Sequence, residues 1–303
     1  MASTKTKPGE ALLGLISSRK WDKVKYESKK SPMSVHLKST LNDFYPDQST
    51  KVQQTRILPI HQAIKYGAPK EILEIFHEIN KEGVTKMESP HNRLALHICC
   101  IFCNNNNNNN NNGDDSASKI AAVSSNASTT SSNSSSNKGT NGGVVTSPYD
   151  IFTTILNQNR KAIQHQDVLG RLPIHYAMKH IASEDTIMKL IDEYPKSLTI
   201  ADTNGWLPIH VACRVASTKS LPIHARDYWI EIIKYMLLVC PHTVHKTTTK
   251  GLSVLQLAKS SQNKAVIDVV EHFVKNINVN EMVDDAVFEE PSSISHTFDD
   301  LKL

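Results

Sequence analysis

Histidine and cysteine are the residues of this 303-residue chain whose chemistry stands out. His61, His97, His175 and His210 each sit in a similar setting, and imidazole is the commonest carrier of proton-transfer and metal chemistry near neutral pH. Their surroundings point the other way. Leu58-Pro59-Ile60-His61-Gln62-Ala63 returns as Leu172-Pro173-Ile174-His175-Tyr176-Ala177 and as Leu207-Pro208-Ile209-His210-Val211-Ala212. A looser copy runs from Leu94 through His97 to Cys99, and another from Ser253 to Ala258 with Gln256 in the histidine place. A side chain that recurs at one turn of every unit, one unit apart, is a structural device, so no catalytic residue is assigned.

Cys99, Cys100 and Cys103, next to His97, are the only other cluster with ligand chemistry. A structural zinc site draws four ligands from more than one segment, whereas Cys99 takes the slot that holds alanine in the sister motifs. The three read as small buried hydrophobes, and neither metal nor cofactor is expected. Nucleophile elbows, phosphate-cradling glycine loops and paired CxxC motifs are missing from the sequence, which argues against an independent enzyme.

The motif implies the elements that carry it. Gly170, Gly205 and Gly251 stand five residues before His175, His210 and Gln256, where a turn needing positive φ would sit. Asp167 and Asp202 stand three residues earlier, placed to bond the turn backbone. Pro59, Pro173 and Pro208 then open helices, since a first-turn N–H would have no partner in any case. Second helices follow: Ala68 to Phe76 and Ser183 to Tyr194 have apolar residues at helical spacing, and so do Tyr228 to Val239 and Ala265 to Val274. The motif histidines are 36 residues apart between His61 and His97 and 35 between His175 and His210.

This DxxGxLPIHxA pattern resembles the ankyrin repeat, with its glycine turn, TPLHxA helix start and second apolar helix, at a period of about 33 residues. Leucine in place of the family's threonine removes the hydroxyl that caps the helix. The resemblance covers residues 55–103 and 148–276. It implies an all-α fold, a solenoid of stacked helix-turn-helix units sharing one apolar spine. The units are expected at about 55–88, 89–165, 166–200, 201–246 and 247–276.

Outside the repeats, residues 1–8 read as disordered. Residues 9–54 read as a cap of two short helices followed by loop, broken by Pro32 and Pro46. Residues 104–147 begin with nine asparagines and continue in Ser, Thr, Asn and Gly, a composition that cannot bury a core, so they read as a disordered insert. Residues 217–226 read as a smaller insertion, and residues 277–303 as a disordered acidic tail. The first 40 residues carry nine Lys or Arg against three acids, and residues 281–303 carry seven acids against Lys302.

The resemblance implies an intracellular scaffold or adaptor that binds another protein on the concave face of the stack. Family contact positions fall on Tyr66, Arg171, Lys179, Asn204, Trp206 and Arg214. Tyr, Trp and Arg are the preferred anchors there, although Trp206 can equally pack along the turns. Two other readings stay open: nucleic-acid or chromatin association through the basic N-terminal region, and a regulatory subunit of an enzyme. No run of apolar residues reaches membrane-spanning length, no secretion signal is recognised, and five cysteines without a disulfide pattern suit a reducing compartment. A soluble, monomeric protein of the cytoplasm or nucleus is the expectation.

Overall fold

The computed structural model describes residues 8–42, 44–45, 54–103, 146–217 and 221–276. The described residues are mostly helical, with thirteen α-helices and one two-stranded ribbon. Expectations for residues 1–7, for nearly all of the asparagine-rich insert and for the tail concern residues outside that set.

Twelve of the helices make six pairs in two rows. The front row holds α1 (Pro8–Ser17), α4 (Pro59–Lys65), α6 (Ala95–Phe102), α8 (Pro173–Lys179), α10 (Pro208–Val215) and α12 (Val254–Ser260). Behind them stand α2 (Trp21–Lys30), α5 (Lys70–Ile79), α7 (Pro148–Gln158), α9 (Glu184–Glu193), α11 (Arg226–Val239) and α13 (Lys264–Asn276). Each front helix packs on the next front helix, each back helix on the next back helix, and each front helix on its own back partner. A pair of helices 7 to 14 residues long cannot hide its apolar side alone, so the core is continuous through the stack.

The sequence explains the close approach of the front row. Ala63, Ala177, Ala212 and Ala258 are fully buried, and Cys99 occupies the same slot in α6. Ile60, Ile174 and Ile209, one residue before the histidine, are buried as well. In the back row the largest buried side chain is Trp229, whose Nε1 donates to the Ala212 carbonyl at 3.1 Å.

The N-terminal helices do more than cover an end. α1 and α2 take a full place in each row, and Gln62 of α4 donates to the Leu13 carbonyl of α1 at 3.2 Å. The stretch expected to be loop contains α3 (Met33–His36) and a strand β1 (Ser39–Asn42), paired antiparallel with β2 (Gln54–Ile57). Ser39 lies opposite Ile57 and Asn42 opposite Gln54. Alternation is weak in β1, which is why the strand is hard to see in the sequence; pairing with β2 decides it. Pro8 already belongs to α1, and Ser147 caps α7 by accepting from the Asp150 amide at 3.1 Å. In the smaller insertion, Leu221 and Ala225 are buried while Ile223 is 80% exposed.

The turns before the front helices form a second continuous feature. In each, the glycine amide donates back to the residue three earlier: Gly170 to Asp167 and Gly205 to Asp202, at 2.9 and 2.8 Å. The tips are chained to one another. Val168 N donates to His91 O, Thr203 N to Leu169 O, and Thr249 N to Asn204 O, at 3.0, 2.9 and 3.0 Å. At the other end Arg56 of β2 exchanges backbone bonds with Ser89.

Gly205 and Gly251 have the same backbone, with φ of +73° and +74°, but different neighbours. A Cβ on Gly205 would meet the Thr249 amide nitrogen at 2.7 Å, whereas one on Gly251 meets nothing within 4 Å. Gly251→Ala should therefore cost only the left-handed backbone strain, about 1–2 kcal/mol. Gly205→Ala should cost more, because the next tip must shift as well; equal urea midpoints for the two variants would contradict this.

Candidate functional site

The motif histidines are buried at the start of the front helices. Leucine amides donate to the histidine Nδ1 three residues on: Leu58 to His61 and Leu94 to His97, both at 3.3 Å, Leu172 to His175 at 3.1 Å and Leu207 to His210 at 3.0 Å. An amide can only donate, so Nδ1 is the acceptor and the proton is on Nε2. That Nε2 donates into the next unit: His97 to the Arg171 carbonyl at 3.2 Å, His175 to Trp206 at 3.0 Å and His210 to Lys246 at 3.0 Å. His61 Nε2 is turned toward the Lys86 backbone without closing a hydrogen bond. Leucine offers no capping hydroxyl; the imidazole three residues downstream takes the leucine amide, and the amides of His61, His175 and His210 bond back to the leucine carbonyls.

In the last unit Gln256 replaces histidine. Its Oε1 accepts from the Ser253 amide at 2.9 Å, and Ser253 Oγ accepts from the Gln256 amide at 3.2 Å. Here a serine can serve as the reciprocal cap.

Burial, above all, keeps these imidazoles neutral. It pushes His61 and His97 down to about 3, His175 to about 4, and lowers His210 as well. His97, His175 and His210 have both ring nitrogens engaged in backbone hydrogen bonds, and His61 has Nδ1 engaged. The cysteines are equally closed: all five thiols are buried and unpaired in disulfides, and burial pushes Cys99 and Cys100 upward. Among the described residues no three His, Cys, Asp or Glu side chains gather as a metal site.

The face formed by the turn tips and the C-terminal ends of the front helices carries the polar chemistry. Its frame is a series of arginine–aspartate rungs between units. The residue just before the motif leucine reaches the turn aspartate of the following unit: Arg93 Nε to Asp167 Oδ2 at 3.3 Å, and Arg171 Nε to Asp202 Oδ2 at 3.0 Å. Each aspartate also holds its own tip through Oδ1, which accepts from Leu169 and Arg171 in one case and from Asn204 and Trp206 in the other. Tyr176 donates to Asp167 Oδ2 at 2.6 Å. Burial alone would raise the Asp167 carboxyl; the hydrogen bonds from Tyr176 and the two amides overcome it and hold it below the ordinary range. Glu88 takes the corresponding place in the preceding tip, accepting from the Arg93 amide at 3.4 Å.

The expected contact residues lie along this face in three states. Arg171 is engaged with Asp202, half-buried, and over the Tyr176 ring at 5.9 Å. Trp206 is also half-buried, its carbonyl accepts from His175, and the Arg214 guanidinium lies over its ring at 5.2 Å. Asn204 and Lys179 are exposed, and Tyr66 packs partly against the core. Tyr66, Lys179 and Arg214 come from equivalent ends of α4, α8 and α10, and so form one line; Arg171, Asn204 and Trp206 come from neighbouring tips and form a second line beside it. The sequence reading missed Arg93, Glu88 and Tyr176. A signal was present for Arg93, which precedes its motif leucine as Arg171 does.

A separate recess of about 510 Å³ lies on the back row between α5 and α7, lined by Lys70, His77, Thr154 and Gln158 among others. No family model matches the chain, and comparison with curated proteins found no match.

The histidine geometry fixes a pH dependence. The unfolded chain protonates its histidines near 6.5, while the folded chain keeps His61, His97 and His175 neutral down to about 3–4. Between those limits the unfolded state binds more protons, so full stability is present above about pH 6.5 and is lost as pH falls from there. Calorimetric unfolding should show a melting temperature that drops from pH 7.5 to pH 5. In His175→Gln, which copies the Gln256 arrangement, unfolding at pH 5 should take up about one proton fewer. Unchanged proton uptake would mean that His175 is not held neutral by the fold.

Proposed function

We propose that this chain is an ankyrin-repeat protein whose activity is to hold another protein against the face of turn tips and front-helix ends. What carries the reading is the double line of aromatic, cationic and amide side chains on that face, Tyr66, Lys179 and Arg214 beside Arg171, Asn204 and Trp206. The histidine-closed helix starts, the chained glycine tips and the two helix rows are the features that the ankyrin pattern implies. Interaction surfaces of repeat stacks are built in this way, from matching positions of successive units. Arg–Trp stacking such as Arg214 over Trp206 offers area and charge together, the property common to binding hot spots.

No helix among the described residues is long and apolar enough to cross a membrane. We place the protein among scaffolds or adaptors acting in the cytoplasm or nucleus. Neither a nucleic-acid groove nor an enzyme subunit contact has an observation of its own in its favour.

The test uses residues whose removal leaves the arginine–aspartate rungs alone. Arg171→Ala would also open the pair with Asp202, so Lys179→Ala with Arg214→Ala is the better variant. Compared with the parent, this double variant should lose at least about tenfold in capture of a partner from extract, matching about 1.4 kcal/mol, with an unchanged melting temperature. Capture should persist at 0.5 M salt (about a 4 Å screening length), which nucleic-acid binding would not. Full capture by the double variant would remove this face from consideration.

A further inference from the structure

The upstream third of the same face is already occupied, and by the chain itself. Phe44 and Tyr45, between β1 and β2, fold back across the ends of α4 and α6 and are almost wholly buried. Phe44 meets Phe102 edge-on with ring centres 5.6 Å apart, and Tyr45 stacks on Phe102 at 6.0 Å. Lys65, at the end of α4, donates to the Phe44 carbonyl and places its ammonium over the Phe44 and Phe102 rings at 4.8 and 5.3 Å. The Arg93 guanidinium is held between two tyrosine rings, 4.4 Å from Tyr45 and 4.8 Å from Tyr176.

The positions that receive this segment repeat farther along. Lys65 and Arg93 correspond, unit by unit, to Lys179 and Arg171, the residues of the proposed partner face. Phe44 and Tyr45 therefore lie where a partner's side chains would lie. The fit is incomplete in its polar details. Tyr45 Oη is shut away from water and leans on Glu88 and Arg93 without closing a hydrogen bond of normal geometry, whereas permanent core contacts satisfy almost every such atom.

Resting on the partner-binding reading above, we propose that Phe44–Tyr45 is an internal stand-in for a ligand, and that the cradle of Lys65, Phe102, Glu88, His91, Arg93 and Tyr176 accepts in its place a partner peptide with two adjacent aromatic residues. The aromatic pair is required by the two ring slots, one against Phe102 and one against Arg93. The carbonyl between them answers Lys65. The chain's own segment gives the sequence to imitate, Asn42-Asp43-Phe44-Tyr45-Pro46-Asp47-Gln48. Intramolecular occupancy lowers the apparent affinity for any such peptide by the fraction of molecules in which the cradle is open.

The probe is a fluorescein-labelled synthetic peptide of that seven-residue sequence, titrated into the full chain and read by fluorescence polarisation. Phe44→Ala with Tyr45→Ala should bind it at least about tenfold more tightly than the parent, as expected when the open form is a tenth of the population or less. Adding Lys65→Met should reverse most of that gain. A double variant with parental circular dichroism that binds the peptide no better than a scrambled control would overturn the proposal. Should the double variant lose helix, the parent chain decides: saturating peptide must accelerate hydrogen exchange at the Phe44 and Tyr45 amides, and unchanged exchange overturns it equally. Loss of peptide binding with intact capture through Lys179 and Arg214 would sink this inference alone, and the converse would sink only the scaffold reading.

Discussion

A neutral imidazole bonded on both sides is the constraint from which the rest follows. Its Nδ1 closes the start of its own helix and its Nε2 reaches a carbonyl of the next unit, as in His175 between the Leu172 amide and the Trp206 carbonyl. One side chain thus fixes both the local helix boundary and the register between layers. Lysine or arginine could not accept at the first contact, and glutamate could not donate at the second. Burial that holds the ring neutral is therefore a condition of the architecture.

The second tie between layers is electrostatic. Arg93–Asp167 and Arg171–Asp202 repeat the same link one unit apart, with both carboxylates buried. Loss of either partner of a buried pair leaves an uncompensated charge, at a cost of about 3–5 kcal/mol. Each aspartate serves its own tip through one oxygen and the neighbouring arginine through the other, so tip geometry and layer spacing are set together. Where the pattern changes, the tie changes with it: Trp206 occupies the arginine place, faces a unit with Thr248 instead of aspartate, and stacks with Arg214.

These ties leave a face of fixed spacing, and its two halves differ in state. Downstream, Lys179 and Asn204 are exposed and Arg214 stacks on Trp206. Upstream, Phe44 and Tyr45 cover the equivalent positions.

Much of this was legible in the sequence, because it depends on short-range patterns. Spacing of leucine, proline, histidine and alanine marks the front helices; apolar periodicity marks the back helices from Lys70, Glu184, Arg226 and Lys264; and glycine with aspartate marks the tips. Those features are set within a few residues by backbone sterics and helix-end chemistry. Three things were decided only by the tertiary structure. Arg171 met Asp202, 31 residues away, and Arg93 met Asp167, 74 residues away. β1 became a strand because β2 lay beside it. Phe44 and Tyr45, unremarkable in sequence, became a buried cover over the ends of α4 and α6. Each is a contact between distant segments, and no local preference encodes which segments the stacking of layers will bring together.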